Sequence, residues 1–482
     1  MIARMEKIDS PKSVYTVKMG NRAKQSNSGE TSIFHMEPFL NSLGSNSIKI
    51  DLSQSVLSET GKTELLNILN RNIKAFGEGG CYNGPITHRI DLIPGTPPIA
   101  SRAYRAPIAV KEEMKKQINT MLEQGIIEPS TSAFSAPVVM VPKKDATLRF
   151  AIDFRRLNAA TIKTVYHLPL IPEILDEVGG KHIFSTFDFA AGFHQIPMHE
   201  RHKERTAFSC YLGLFQFLKM PMGLSGAPLT FQRVMNNLKQ YISASFLIYL
   251  DDVILASEDE ESHLKDINQF LEVVQGFGMK LKLIKCHFAL DKIKYLGFFI
   301  SANGISIDPK NVEVIEKMSM PKTISELRSF LGACSYFRKF VQNFSIIMSP
   351  LYNLTKEGKF LKPENWEKEC LNAFKNIKSK LKTAPVLASP QIGKSFIIET
   401  DASMHGLAAT LLQKGHDDKE HPILYFSQVL KPHQKKYHVN ELKALAVVMA
   451  LRTFRPYIEG SGKTLIRSDN SVLNTKFLNI NH

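Results

Sequence analysis

The chain has 482 residues, of which 43% are hydrophobic, so it is too long for one compact core and too apolar to be disordered. Its 61 Lys and Arg exceed its 46 Asp and Glu, which leaves a formal charge of +15. This balance favours a partner with regular negative charge, above all nucleic acid, although lysine in excess that serves only solubility is the alternative. The five cysteines include no C-x-x-C pair, which excludes a disulfide framework and a zinc knuckle.

No apolar stretch approaches the roughly 18 residues that a membrane span requires. The N-terminus also lacks the basic and then apolar pattern of a signal peptide. We therefore predict a soluble, cytoplasmic protein without a membrane partner.

The first 55 residues are rich in Ser, Asn, Lys and Gly without periodicity, and we predict a tail or linker there. Apolar residues at helical spacing between Leu65 and Phe76 predict a short packing helix. A second helix is predicted from Pro107 to Gly125, since proline suits a first turn and glycine ends a helix.

Two strands are predicted next, at 136–141 and 148–154, joined by a polar loop. In the second strand Arg149 lies on a charged face, and Lys143 and Lys144 lie in the loop. These cations could grip a triphosphate, as a nucleotide-binding flap requires. The alternative is an exposed strand whose Arg and Asp side chains pair across one face.

The next stretch alternates strands and helices, which predicts an α+β architecture with an antiparallel sheet covered on one face. The predicted strands are 182–188, 193–198, 206–218, 245–250, 253–257, 280–287 and 293–300, and the predicted helices are 227–242 and 261–275.

After Gly304 the pattern becomes mainly helical, with basic residues spread through it. This segment could hold the backbone of a duplex, or it could be a helical spacer with a solvated basic face. A last domain begins near Pro385, where a strand at 395–400 runs into Asp401.

Three carboxylates occupy the ends of apolar runs in the middle of the chain. Asp188 ends the run from Ile183, and Asp251 and Asp252 stand between two further runs. Clustered carboxylates supply hard oxygen ligands, and nucleotide polymerisation uses two divalent cations about 4 Å apart. The pattern therefore predicts a metal site.

Taken in order, the motifs of the chain resemble the reverse transcriptase and RNase H region of a gypsy-type LTR retrotransposon Pol polyprotein. The resemblance covers most residues after about 85 and rests on SAPVVMVPKKDATLRFAIDFRRLN, FSTFDFAAGFHQIPM, FQFLKMPMGLSGAPLTFQRVM, FLIYLDDVILAS, YLGFFIS, LRSFLGACSYFRKFV and FIIETDASMHGLAATLLQ.

The resemblance implies a right-hand polymerase followed by an RNase H-like α/β domain. Residues 1–85 would be a tail with one short helix, 86–304 fingers and palm with a ferredoxin-like sheet, 305–384 thumb or connection, and 385–482 the RNase H-like domain. It also implies Mg²⁺ or Mn²⁺, two per active site, and an RNA template, a DNA primer, an RNA–DNA hybrid and dNTP as partners.

The resemblance further assigns roles to individual residues. Asp188, Asp251 and Asp252 match the catalytic, metal-binding triad. The contacts to dNTP would come from Lys143, Lys144, Arg149, Phe193 as a steric gate, and Met222, which stands where relatives have an aromatic or polar residue. The primer grip would be Tyr295, Leu296, Gly297 and Phe298.

In the last domain, Asp401, Glu441 and Asp469 match three of the four metal-binding acids of RNase H. The chain ends at His482, before the fourth acid of that family, so we expect weak or absent hybrid cleavage. From the residues themselves, Asp401 could instead cap a turn and Glu441 could face solvent.

Two other functions remain open on the sequence. The chain could be a non-catalytic nucleic-acid-binding protein, although its intact aspartates argue against this. It could also be a DNA-templated polymerase, since the same metal chemistry serves either template.

Overall fold

The structure is a computed structural model that describes residue 48 and residues 50–142, 147–166, 168–242, 246–250, 252–356, 366–391 and 393–469. Three predicted site residues, Lys143, Lys144 and Asp251, lie outside the described residues.

The helices and strands follow in chain order. The elements up to residue 178 are α1 (Glu59–Arg71), α2 (Ile108–Glu123), β1 (Ile127–Pro129), β2 (Ala136–Pro142), β3 (Leu148–Ile152), α3 (Arg155–Ala160) and α4 (Ile171–Val178). Those of the middle are β4 (Ile183–Asp188), β5 (Phe208–Cys210), β6 (Gly213–Phe217), α5 (Ala227–Lys239), β7 (Phe246–Tyr249), β8 (Asp252–Ser257) and α6 (Glu260–Gly276).

The next group is β9 (His287–Leu290), β10 (Lys292–Tyr295), β11 (Phe298–Ser301), β12 (Gly304–Ile307), α7 (Pro309–Lys317), α8 (Ile324–Tyr336), α9 (Phe344–Lys356) and α10 (Lys368–Lys382). The last group is β13 (Phe396–Ala402), β14 (Gly406–Lys414), β15 (Glu420–Val429), α11 (Val439–Ile458) and β16 (Thr464–Ser468).

The strands of the described residues form four sheets. A five-stranded sheet has the order β1-β6-β5-β2-β3, and the central sheet has the antiparallel order β7-β8-β4-β9. A three-stranded sheet, β10-β11-β12, follows, and the C-terminal sheet has the order β15-β14-β13-β16. The chain thus contains both helices and mainly antiparallel sheets, and the predicted α+β class is confirmed.

The central sheet separates two hydrophobic cores. Along β4, Ile183 and Phe187 pack into the core shared with α5, α6 and the five-stranded sheet, whereas Phe184 packs into the core shared with α7–α10. This alternation follows from the period of two in a strand. Both faces of the central sheet are therefore packed against hydrophobic cores, and β4 ends at Asp188.

Local sequence patterns predicted the long helices well. The predicted helix at 261–275 is α6, which buries Ile267, Phe270, Leu271 and Val274 on one face. Its first turn is capped by Asp259, whose side chain accepts a hydrogen bond from the Ser262 N–H.

Four predicted strands are wrong. The segment 206–218 is not one strand but contains the antiparallel pair β5 and β6, and the segment 293–300 contains the turn between β10 and β11. Residues 193–195 of the predicted strand 193–198 belong to a 3-10 helix at Gly192–Gln195, because the Gln195 side chain donates to the carbonyls of Ala190 (2.7 Å) and Lys280 (2.8 Å) and fixes a turn. The predicted strand 280–287 is a 3-10 helix at Leu283–Lys285, and β9 begins only at His287.

All five cysteines lie in the described part of the chain, and all five are free thiols. Cys81 is exposed, Cys210 is half-buried, and the remaining three, Cys286, Cys334 and Cys370, are buried. None of the described helices combines the length and the apolar character that a bilayer crossing needs.

Candidate active site

Asp188 and Asp252 face each other across the central sheet. β4 and β8 are antiparallel, and their register pairs Asp188 directly with Asp252. Directly opposed residues of an antiparallel pair have Cβ atoms about 4.5–5.5 Å apart. The structure therefore brings two of the three predicted metal ligands together where β4 ends and β8 begins, on the two inner strands of the sheet.

The electrostatics of this pair favour a cation. Desolvation by the surrounding protein, and then the nearby charge of Asp188, raise the pKa of the Asp252 carboxyl above its usual range. The Lys285 ammonium donates to both carboxylate oxygens of Asp188, at 3.0 and 3.2 Å. Opposed carboxylates are hard oxygen ligands, and this donor set fits a divalent metal ion. Within the described ranges, no group of three or more His, Cys, Asp or Glu side chains is arranged for a metal.

A strained turn leads into this site. Tyr249 pairs with Asp252, and Leu250 is the turn residue that follows β7. Leu250 has a φ of +56°, in the left-handed region that residues other than glycine seldom adopt. Its N–H donates to the Oε1 of Gln232, on α5, at 2.8 Å. Gln232 was not predicted from the sequence; the available signal was a polar residue on the apolar face of the predicted helix 227–242.

Two of the predicted dNTP contacts also meet. Arg149 on β3 is exposed, and its Nη2 lies 2.8 Å from the Sδ of Met222, which is also exposed. The loop that carries Met222 is held by Asn158 of α3, which donates to the Gly223 carbonyl and accepts from the Ser225 N–H, both at 2.9 Å. This role of Asn158 was not predicted, because no local sequence pattern indicates it.

Phe193, the predicted steric gate, lies on the 3-10 helix at 192–195 and is half-buried. Its ring packs edge-on against Phe231 of α5, with 5.5 Å between ring centroids. The ring therefore contributes to the packing beneath the site, and its contact with a sugar stays a prediction.

The four predicted primer-grip residues form one tight hairpin. Tyr295 ends β10, Phe298 begins β11, and the turn residues Leu296 and Gly297 have φ values of +46° and +85°. A Cβ at position 297 would lie 2.8 Å from the Nδ2 of Asn311, so only glycine fits. Contact of this hairpin with a primer stays a prediction.

The hydroxyl of Tyr295 is an unusual feature of this hairpin. The side chain is buried, with 3% of its surface exposed, and its Oη has no hydrogen-bond partner within the described residues. Burial and the charge of Asp252 raise its pKa, so the phenol is neutral. An unpaired phenol thus lies near the carboxylate pair.

Comparison with known proteins identifies the domains. Residues 141–300 match the family model of the reverse transcriptase (RNA-dependent DNA polymerase), and residues 366–466 match that of the RNase H-like domain found in reverse transcriptase. The chain contains a reverse transcriptase domain and an RNase H-like domain. Both of these families use divalent metal ions.

Similar proteins support the assignment of these two domains. The retrovirus-related Pol polyprotein from transposon 297 of Drosophila melanogaster is 36% identical over 437 residues, which cover 88% of this chain and 40% of the relative. That from transposon gypsy of the same organism is 33% identical over 442 residues, with coverages of 88% and 42%. The chain thus spans about two fifths of these relatives, and the predicted resemblance is confirmed.

Among solved structures, the foamy viral protease-reverse transcriptase in complex with dsDNA aligns with a TM-score of 0.77 and 24% identity. The alignment covers 88% of this chain and 88% of the foamy viral chain. The likeness confirms the predicted right-hand polymerase fold with its RNase H-like extension.

The three predicted acids of the RNase H-like domain are Asp401, Glu441 and Asp469, and unlike Asp188 and Asp252 they are not directly paired across a sheet. β13 and β16 are parallel, with Thr400 opposite Ser468, so Asp401 and Asp469 follow paired positions. Asp469 forms a 2.6 Å ion pair with Lys443, and Glu441 accepts a 2.7 Å hydrogen bond from the His438 N–H and caps α11. The assignment of these acids as metal ligands stays a prediction.

Proposed function

We propose that this chain is an RNA-directed DNA polymerase that transfers nucleotides from dNTP to the 3′-hydroxyl of a primer. The observation that carries the proposal is the direct pairing of Asp188 with Asp252 at the edge of the central sheet of a reverse transcriptase domain. In domain terms, fingers and palm would span 86–304, the thumb or connection 305–384, and the RNase H-like domain 385–482.

In this proposal Asp188 and Asp252, with Asp251 next to Asp252 in the sequence, hold two Mg²⁺ or Mn²⁺ ions. When bound, these ions would activate the primer hydroxyl and stabilise the charge that develops on the phosphate oxygens. The carboxylates of the chain would position the ions, and the buried strands behind them would keep that geometry fixed.

Other residues would bind the substrates. Arg149, with Lys143 and Lys144 of the sequence between β2 and β3, would hold the triphosphate, since guanidinium and ammonium groups bind phosphate oxygens. The hairpin at 295–298 would hold the primer end. The formal charge of +15 supports binding to a nucleic-acid backbone, and the foamy viral relative of this fold was solved in complex with dsDNA.

The proposal is tested by extension of a DNA primer annealed to RNA, with and without Mg²⁺. We expect Asp188→Asn and Asp252→Asn each to lower the rate at least about a hundredfold, because loss of a metal ligand removes several kcal/mol of transition-state stabilisation. Asp291→Asn, at an exposed turn after β9, is the matched control and should extend normally. Full activity of Asp252→Asn would contradict the proposal.

A second set of templates tests the rivals. Extension on RNA identifies a reverse transcriptase, whereas extension on DNA templates alone would favour a DNA-templated polymerase. Binding of primed RNA without metal-dependent extension would favour a non-catalytic nucleic-acid-binding protein.

Hybrid cleavage by the RNase H-like domain is expected to be weak. Glu441 caps α11 through one oxygen and Asp469 is paired with Lys443, so a metal ion would have to compete with these contacts, as it would with Lys285 at Asp188. Cleavage of an RNA–DNA hybrid that is robust, and lost in Asp401→Asn, would overturn this expectation.

A further inference from the structure

Gln232 lies outside every predicted site, yet it contacts the turn that leads into the carboxylate pair. It is on α5 and has no exposed surface. Its Oε1 accepts from the Leu250 N–H at 2.8 Å, and its Nε2 donates to the Ile248 carbonyl at 3.2 Å. One buried carboxamide therefore contacts the backbone of β7 and the first residue of the turn.

The orientation of this carboxamide is fixed from its other side. The Nε2 of Gln232 also donates to the Oδ1 of Asn236 one helical turn later, at 3.0 Å. Asn236 in turn donates from its Nδ2 to the hydroxyl of Tyr166, at 2.6 Å. Because the amide nitrogen of Gln232 faces Asn236, its amide oxygen faces Leu250. The network thus orients this oxygen to accept the hydrogen bond from the Leu250 N–H.

The turn requires such support. A left-handed conformation costs a residue other than glycine about 1–2 kcal/mol, and Leu250 adopts it at φ +56°. An amide N–H in a turn does not take part in the ladder between β7 and β8, so without Gln232 it would lose its partner. The strain and the missing partner would both favour another turn geometry.

We propose that Gln232 is a positioning residue that holds the turn after β7 so that Asp252 stays opposite Asp188. The inference rests on the proposed polymerase function. Gln232 does not contact the carboxylates themselves, and it acts through the backbone of Ile248 and Leu250.

A purely structural role of Gln232 makes a different prediction. If the carboxamide only joined α5 to β7, its loss would lower stability, but each folded molecule would bind metal and react normally. If it positions the turn, folded molecules would bind the cation more weakly and react more slowly, with template affinity unchanged.

The test uses the full chain with Gln232→Met, which keeps the length of the side chain and removes its polar atoms. Gln240→Met, an exposed position that follows the same helix, is the matched control. Three quantities are measured: Mn²⁺ affinity by calorimetry, the single-turnover rate of nucleotide addition at saturating dNTP, and the dissociation constant for primed RNA.

We expect Gln232→Met to lower the addition rate about 10- to 100-fold and to weaken Mn²⁺ binding several-fold, because small displacements of catalytic groups cost this much. The dissociation constant for primed RNA should stay within about twofold, since phosphate contacts supply that affinity. Gln240→Met should match the wild type in all three measurements.

Rates and Mn²⁺ affinity of Gln232→Met within about twofold of wild type would overturn the inference, since misplaced groups cost more than this. If Gln232→Met fails to fold, Asn236→Ala replaces it, because it frees the carboxamide to rotate without removing it. We then expect a smaller loss in rate and Mn²⁺ affinity, and wild-type values would refute the inference. If the wild type itself does not extend primers, the proposed function fails, and the Mn²⁺ comparison still decides the role of Gln232.

Discussion

The Tyr457 hydroxyl on α11 donates a 2.8 Å hydrogen bond to Asp176 on α4, and this bond ties the RNase H-like domain to the polymerase domain. Burial raises the pKa of Asp176, and burial lowers the pKa of nearby Lys339 to about 8. The Lys339 ammonium lies 5.4 Å from the ring centroid of Phe298. Contacts therefore run from the RNase H-like domain to the hairpin at 295–298.

Tyr457→Phe should loosen this contact between domains. Without the phenol, the half-buried Asp176 carboxylate loses a donor, which costs about 1–3 kcal/mol. We expect a lower melting temperature and faster proteolysis between α10 and β13. Tyr437→Phe removes an exposed hydroxyl in the same domain and is the control. Equal proteolysis of both variants would show that the bond does not hold the domains together.

Stability should fall in mild acid. Burial lowers the pKa values of His88, His194, His202 and His263 to about 4, against about 6.5 in an unfolded chain. Between these values the unfolded state binds more protons, so the free energy of unfolding decreases as pH falls from about 6.5 to about 4. Urea unfolding at several pH values measures this, and a flat profile across the window would contradict it.

Tyr295→Phe should leave stability unchanged or raise it by about 1 kcal/mol, because the variant no longer buries an unpaired hydroxyl. Tyr336→Phe is the matched comparison, since it removes a phenol that donates to the Leu296 carbonyl at 2.8 Å, and it should destabilise the protein. Thermal unfolding compares the two. A clear loss of stability in Tyr295→Phe would mean that its hydroxyl has a partner in solution.

Lys285→Met should strengthen cation binding. The ammonium of Lys285 forms an ion pair with the carboxylate of Asp188. Removing this positive charge makes the site more negative and so more attractive to a metal cation. Since both groups are partly exposed, we expect only about a two- to fivefold gain in Mn²⁺ affinity. Calorimetry measures the gain, with Lys292→Met on β10 as an exposed control. Weaker binding in Lys285→Met would mean that Lys285 supports the site.

The pH dependence of metal binding follows from Asp252. Because its pKa is raised, protonation of this ligand begins at a higher pH than for an ordinary aspartate. Mn²⁺ affinity should therefore fall as pH is lowered towards this raised pKa, while the reference variant Asp252→Asn should show a flatter profile. Identical profiles would contradict the role of Asp252 as a ligand.

The carboxylate pair could be predicted because its signals are local. Asp188 and Asp252 stand at the ends of apolar runs, and strand periodicity places such ends at a sheet edge. The contacts of Gln232 and Tyr457 could not be predicted in this way. Leu250 lies 18 residues from Gln232, and Asp176 lies 281 residues from Tyr457, so only the folded chain brings them together.

The error at 193–198 has the same origin. The apolar and polar alternation there favoured a strand, but Gln195 binds the carbonyl of Lys280, 85 residues later. Tertiary hydrogen bonds of one buried side chain therefore overrode the local preference for a strand.

The burial of the thiols makes the chain suitable for site-specific labelling. Cys286 and Cys334 have pKa values raised to about 12 by burial, and burial also raises the pKa values of Cys210 and Cys370, so few thiolates form at these positions. Cys81 is exposed, and its N–H donates to the Gly278 carbonyl just after α6. A maleimide fluorophore or a nitroxide spin label should therefore attach mainly at Cys81, without mutation of the other four cysteines.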